Sequence, residues 1–414
     1  MRLKDRSGRG QRTGGPRLWS LVTWLLPLLV LWGMPRPSAG EDRVIVRGNY
    51  YREASTRVLQ PTVDVEVDVP DERLSLGAAY VLDAISSASI ASGTAQVTGG
   101  DLVFTEIRHE LTAHAGSRLG EWTVGGFFRY SSETDYIARG VGVSASRDLL
   151  ARSLTLGLSY GYNFDRVYRI QANTRVRAPW CGGAVDVGLC QSGGRGVGHN
   201  LHQVHYVAAH YTHAWHRRVL GLASLEVARS LGPQDNPYRG AQIPTSEVEI
   251  HPLGRSRVAL SGAVRWAVPK VPIPIVLEPR YRFSADSWLI RTHAIDPRIH
   301  VRVLSHLRLR ARYRYYQQSA SFICIDPRAE VLDDGASFYC STADGSFATA
   351  DPKMGAFRSH TPGIQLVYEL DGLAKVRGMG WLERGWIEAT YNHVFQTNRF
   401  GNARLGALAF SLAY

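Results

Sequence analysis

The sequence of 414 residues has little that a helical membrane protein or a common enzyme requires. Beyond residue 31 no apolar run approaches the roughly 20 residues a spanning helix needs, and the mean hydropathy is -0.16. Only four cysteines occur, and no C-x-x-C spacing, so a structural zinc site of the usual kind has no ligand set. No G-x-S-x-G is present to raise a nucleophilic serine on a strand-to-helix turn. No glycine-rich phosphate loop precedes a helix. Gly182, Gly183, Gly193, Gly194, Gly196 and Gly198 sit instead in a polar stretch around two cysteines. Linkers, low-complexity blocks and repeats of solenoid period are missing too. There is no lysine-rich tail. The formal charge of +12 comes mostly from arginines dispersed along the chain, read as lumenal and rim charge. A basic balance can mean a nucleic-acid partner, but the export signal at the start of the chain argues against one.

The chain begins with a basic leader, Arg2, Lys4, Arg6, Arg9, Arg12 and Arg17. An apolar run over Leu18–Leu31, interrupted by Pro27, leads to the small residues Pro37-Ser38-Ala39-Gly40. That pattern predicts a secretory signal over 1–40, cut after Gly40, and a mature domain over 41–414. A short membrane anchor is the other reading of the same residues.

Strict alternation dominates the mature chain. Leu307, Leu309, Ala311, Tyr313 and Tyr315 share one parity, and Arg308, Arg310, Arg312 and Arg314 share the other. A helix would spread those arginines around its circumference; a strand puts them on one face. Ile295, Ile299, Val301 and Val303 alternate likewise with Asp296, Arg298, His300 and Arg302, and Ser305-His306 makes a tight break between the two. Similar segments begin near Val44, Pro61, Leu74, Phe104, Trp122, Tyr136, Leu154, Leu201, Val219, Val258, Ile275, Thr361, Gly385 and Asn402. Their sum is about sixteen strands of roughly ten residues, with fourteen possible. Turns such as Pro70-Asp71-Glu72 alternate with long stretches at 85–103, 169–200, 231–257 and 323–354. The expected fold is therefore all-β: a transmembrane antiparallel up-and-down barrel with short periplasmic turns and longer extracellular loops. A soluble exported sandwich shows the same alternation in any single strand. The end of the chain favours the barrel. Leu408, Phe410, Leu412 and Tyr414 share a face, as in the terminal signal read by the barrel assembly machinery, which with outer-membrane lipid is an expected partner.

Tyr50-Tyr51-Arg52-Glu53-Ala54-Ser55-Thr56-Arg57-Val58, Val81-Leu82-Asp83-Ala84-Ile85-Ser86-Ser87-Ala88-Ser89 and Phe104-Thr105-Glu106-Ile107-Arg108 resemble a bacterial family classed as a domain of unknown function, number three-five-seven-zero. The resemblance implies an exported barrel of a Gram-negative envelope, resident in the cell outer membrane. It supplies no substrate, cofactor or catalytic residue.

Three groups of residues are candidates for chemistry. On strand parity Arg280, Arg282, Arg298, Arg302, Arg308, Arg310, Arg312 and Arg314 face the lumen, where they would favour anions or knit a network. Arg52, Glu53, Asp83, Glu106, Arg108 and Glu110 gather in the first quarter of the mature chain; Arg57 belongs near them, but Pro61 leaves its face open. Cys181 with Cys190, and Cys324 with Cys340, are each close enough in sequence for local disulfides in an oxidising compartment, although other pairings exist. Histidines at 199, 202, 205, 210, 213 and 216 invite a metal reading, but one strand spreads them too far apart for a single ion. His109 and His393 fall on the lipid-facing parity, as in a barrel lipase, with no serine placed to partner either. The expectation is a porin-like channel for anions or small solutes, without cofactor or catalytic machinery. The alternatives are a plugged or surface-binding barrel with stapled outer loops and, more remotely, a lipid hydrolase.

Overall fold

Sixteen strands alternate in direction around a closed sheet. They are β1 (Arg43–Arg52), β2 (Thr56–Val69), β3 (Leu74–Ser87), β4 (Phe104–Leu119), β5 (Trp122–Ser132), β6 (Tyr136–Leu149), β7 (Leu154–Val167), β8 (Leu201–His216), β9 (Val219–Leu231), β10 (Gly254–Ala267), β11 (Ile275–Glu278 and Arg280–Asp286), β12 (Arg291–Ile295 and Arg298–Leu304), β13 (Leu307–Gln318), β14 (Phe357–Glu369), β15 (Trp386–Gln396) and β16 (Ala403–Ala413). Each pairs antiparallel with the next. β1 then pairs with β16 from Arg43 opposite Ala413 to Arg52 opposite Arg404, which closes the barrel. The structure is a computed structural model describing residues 42–54, 56–69, 73–87, 104–171, 174–176, 201–234, 240–243, 246–325, 340–398 and 400–413. The leader, Cys181, Cys190, His199 and Tyr414 lie outside these residues. Among the described residues no helix is long and apolar enough to cross a membrane.

The alternation in sequence becomes two faces. Large apolar side chains that stay exposed fall almost wholly on one parity, including Val46, Leu59, Leu111, Leu158, Leu260, Ile299 and Leu408. Ion pairs between strands fall on the other, and some jump a strand. Arg282 on β11 reaches Glu226 on β9, and Arg302 on β12 reaches Glu369 on β14. Only the concave side of a closed sheet brings side chains of next-but-one strands together, so the charged parity faces inward. An apolar outer face around a polar interior is the arrangement of a barrel in lipid.

Two rims follow from the connections. At one lie the strand ends nearest both termini and mostly short turns, such as Gly120-Glu121, where Gly120 takes a φ of +66 that suits a glycine. The exception is 370–385, which holds the helical turn Asp371–Ala374 and exposes Leu373, Val376, Met379 and Trp381. The other, loop rim carries the longer connections. There Trp288, Ile290, Ile323, Cys324, Cys340 and Met354 form a small core of their own. Cys324 and Cys340 are disulfide-bonded. A bridge between Ile250 and Ala348 ties two loops together, and Gln318 Nε2 donates to the carbonyls of Lys353 and Gly355 at 2.7 and 2.9 Å.

Several boundaries differ from the sequence reading, for local reasons. β2 starts at Thr56, before Pro61. Its ladder with β1 continues through Gly48 opposite Pro61 without a register shift, so parity is kept and Arg57 shares the outward face with Leu59. β10 starts at Gly254 rather than Val258. β11 and β12 are each interrupted where Pro279 and Pro297 remove a ladder donor.

The stapled loop core permits a first prediction. A disulfide closing a loop of this size contributes about 3 kcal/mol, here to the loop core rather than to the barrel. Replacing Cys324 and Cys340 together by Ser is expected to speed tryptic cleavage at Lys353 roughly tenfold or more, at unchanged heat-modifiable migration on gels. Unchanged proteolysis would show that the core holds without the bond.

Candidate functional site

The inward face is electrically divided. On β9 to β14 its parity carries eleven arginines: Arg255, Arg257 and Arg265 with Arg280, Arg282, Arg298, Arg302, Arg308, Arg310, Arg312 and Arg314. Five carboxylates share that wall: Glu226, Glu278, Asp286, Asp296 and Glu369. On β2 to β7 the balance reverses. Asp64, Glu66, Asp68, Asp83, Glu110, Asp148 and Asp165 face Arg108, Arg118 and Arg129. In a ring of sixteen, β2 stands eight strands from β10, so the acid-rich and arginine-rich walls oppose each other across the barrel.

Two carboxylates organise the arginine wall. Glu278, only 1% exposed, sits just before Pro279 and directly opposite Arg298. It accepts from Arg265 Nε at 2.7 Å and lies 3.4 Å from Arg280, 3.9 Å from Arg298 and 3.2 Å from His300 Nε2. Asp296, at the proline break of β12, accepts from Arg298 at 2.8 Å and Arg312 at 3.0 Å. Glu226 takes Arg282 bidentately at 2.7 and 2.8 Å, the fork geometry that makes such pairs specific. Glu369 takes Arg302 and Arg308, each at 3.1 Å. Near the loop rim Asp286 binds Arg255 and accepts from the backbone of Trp288 and Ile290. Arg257, Arg310 and Arg314 make no ion pair among the described residues; Arg314 lies 5.5 Å over the Tyr316 ring. A recess of about 370 Å³ opens in this wall, lined by His210, Ser224, Arg280, Arg282, Asp296 and Arg314 among others.

The first-quarter residues divide. Asp83 and Arg108 are paired, Arg108 lies 3.7 Å from Glu133, and Glu110 lies 3.9 Å from Arg129. Glu53 is buried and accepts from Tyr51 at 2.6 Å. Arg52 stands apart from them, on the outward parity with Val46 and Tyr50. The side chain of Glu106 is outside the described residues. Glu278 shares its parity with Arg280 and Arg282 and was legible as a counter-charge, whereas Glu226 stands on a strand whose inward parity carries no arginine and has no such signal.

The histidines scatter over both faces. His202 lies 3.3 Å from the Tyr136 hydroxyl, and His210 lines the recess. His205 and His213 face outward. Among the described residues no three His, Cys, Asp or Glu converge as a metal site. Outward histidines pair with phenols instead. The hydroxyl–Nδ1 distances are 2.7 Å for Tyr80–His109, 2.9 Å for Tyr160–His205, 2.7 Å for Tyr281–His293, 2.6 Å for Tyr313–His360 and 3.3 Å for Tyr391–His393. These five pairs lie toward the loop rim; a sixth outward pair, Tyr211–His213 at 2.9 Å, lies toward the rim of the termini. A phenol, not a serine, is therefore the partner of His109 and His393. Leu408, Phe410 and Leu412 share the outward parity of β16, with Leu412 opposite Val44 and Phe410 opposite Val46.

Comparison with solved structures recovers outer-membrane barrels. A bacterial polysaccharide outer membrane secretin is 8% identical, with a TM-score of 0.48, over 91% of this chain and 100% of that one. CdiB from Acinetobacter baumannii is 6% identical, with a TM-score of 0.50, over 91% of this chain and 61% of its own. OccK2 from Pseudomonas aeruginosa, in complex with glucuronate, is 8% identical, with a TM-score of 0.41, over 90% and 98%. At such identities the likeness is one of fold. No curated protein matches the sequence. The family model for a protein of unknown function (DUF3570) matches residues 100–380, and the chain belongs to that family.

Proposed function

We propose that this protein is a porin-like channel of the outer membrane, and that its divided lumen passes small anions along the arginine wall. The observation that carries the reading is the imbalance itself: eleven arginines against five carboxylates on six neighbouring strands, with Arg257, Arg310 and Arg314 unpaired among the described residues. Sixteen strands about 4.8 Å apart and tilted by about 40° give a circumference near 100 Å and a diameter of about 30 Å. Acids on β2 are too far across such a barrel to neutralise arginines on β13, so opposed walls set up a field transverse to the axis. Anions would concentrate on one side and dipolar solutes would align. The same charges at a soluble surface would serve nothing obvious, whereas lining a wet pore they act on whatever passes.

The test is conductance of the purified barrel in planar bilayers, with the reversal potential measured across a salt gradient. Open steps with chloride favoured over potassium are expected. Absence of conductance would leave the second reading, a closed barrel whose function is its loop platform. The interlocked core of Trp288, Ile323, Cys324 and Cys340 favours that reading, because it makes the loop rim a folded surface.

A further inference from the structure

The outward face carries a charge pattern that a pore does not need. No Asp or Glu occupies the outward parity of any of the sixteen strands, yet nine arginines do. One of them, Arg147, lies near the rim of the termini and has its own counter-ion, Glu121, at 3.0 Å. The other eight all lie toward the loop rim, and none makes an ion pair among the described residues. They are densest at the barrel's closing seam. Arg404 on β16 is directly opposite Arg52 on β1, Arg52 is directly opposite Arg57 on β2, and His393 on β15 is directly opposite Arg404. All three arginines are exposed.

Like charges placed directly opposite on neighbouring strands repel. Among the described residues the repulsion has no internal remedy, because the carboxylates of these strands point into the lumen. The counter-charge must come from outside, at the depth where the apolar band ends. Guanidinium forks match phosphate oxygens bidentately and lose little on leaving water. Just inside the arginines lie five of the six outward Tyr–His pairs. Where the phenol donates to Nδ1, the imidazole keeps its remaining proton on Nε2 and is itself a further donor.

We propose that the loop-rim belt binds phosphate groups of lipid headgroups in the adjoining leaflet, and that a phosphate held between Arg52 and Arg404 clamps the seam where the first strand meets the last. The belt needs only that the barrel sits in a membrane; it is independent of whether the lumen conducts.

The experiment uses the full barrel in phosphatidylcholine vesicles with and without phosphatidic acid, which supplies a phosphomonoester headgroup. The readouts are the temperature of the gel-shift transition and the number of phosphatidic acid molecules retained in native mass spectrometry. The wild-type barrel should retain at least one and shift its transition upward. Arg52→Gln with Arg404→Gln should weaken retention roughly tenfold or more and lose most of the shift. Arg147→Gln, at the opposite rim, should behave as wild type. Arg52→Lys with Arg404→Lys keeps the charge and guards against a folding defect; it should retain phosphatidic acid more weakly than wild type. Equal stabilisation of the Gln pair and the wild type would overturn the proposal, as would a wild-type barrel retaining no phosphatidic acid. Inorganic phosphate reproducing the shift in phosphatidylcholine alone would overturn the assignment to lipid.

Discussion

Replacing Arg310 and Arg314 by Ser is expected to lower anion permeability about twofold at 0.1 M salt and about fourfold at 10 mM, leaving the barrel folded. An ion passing about 8 Å from one guanidinium gains about 0.5 kcal/mol in water before screening. A Debye length near 10 Å at 0.1 M halves that, and one near 30 Å at 10 mM leaves most of it. Two such charges then multiply. At 1 M, where the Debye length is about 3 Å, the effect should nearly vanish. These arginines suit the test because neither makes an ion pair among the described residues, so their removal strands none of the carboxylates described. Arg312 is a poorer choice, since it holds Asp296 at 3.0 Å. Reversal potentials measured at the three salt concentrations check the result. A change in selectivity that ignores salt would mean that the arginines act by shape or by structural rearrangement rather than through their field.

Most of the architecture could be read from the residues, because a barrel in lipid writes its period of two directly into the chain. All sixteen strands are where alternation put them, and the arginines of β13 share a face just as Leu307 to Tyr316 implied. Boundaries were less legible. Pro61 suggested a break, but a proline can sit in a ladder if its missing donor faces a gap in the bonding, and parity survived it. The connection at 370–385 folds into a helical turn through contacts with Gly385 and the last strand, which no local pattern announces. The site was legible as a sign of charge and not as a set of partners. Which arginine meets which acid depends on the stagger between neighbouring strands. Arg282 finds Glu226 56 residues away, two strands over. The division into a basic and an acidic wall needed closure of the ring, which sets β2 across from β10. The outward arginines were equally present in sequence, but parity near strand ends is hard to assign until the register is fixed.

Glu278 should be the most costly single residue to remove from the arginine wall. Its carboxylate is almost wholly buried, while Arg265 and Arg280 are 48% and 39% exposed and Arg298 only 16%. Truncation to Ala would leave His300 in the wall without its carboxylate and Arg298 with Asp296 alone, while Arg265 and Arg280 regain water. Breaking a buried pair costs about 3–5 kcal/mol, and exposed partners contribute little, so a loss of about 2–4 kcal/mol is expected. Glu278→Gln keeps the shape and one acceptor, and should cost less than Glu278→Ala while adding one net positive charge to the wall. Urea unfolding from lipid vesicles, followed by tryptophan fluorescence, measures both variants. Bilayer recordings on Glu278→Gln should show anion preference raised. If Glu278→Ala unfolds like the wild type, the arginines are held apart by water and lipid geometry alone, and the wall is a set of independent charges. If it is destabilised and Glu278→Gln also gains anion preference, one carboxylate both assembles the wall and limits its field.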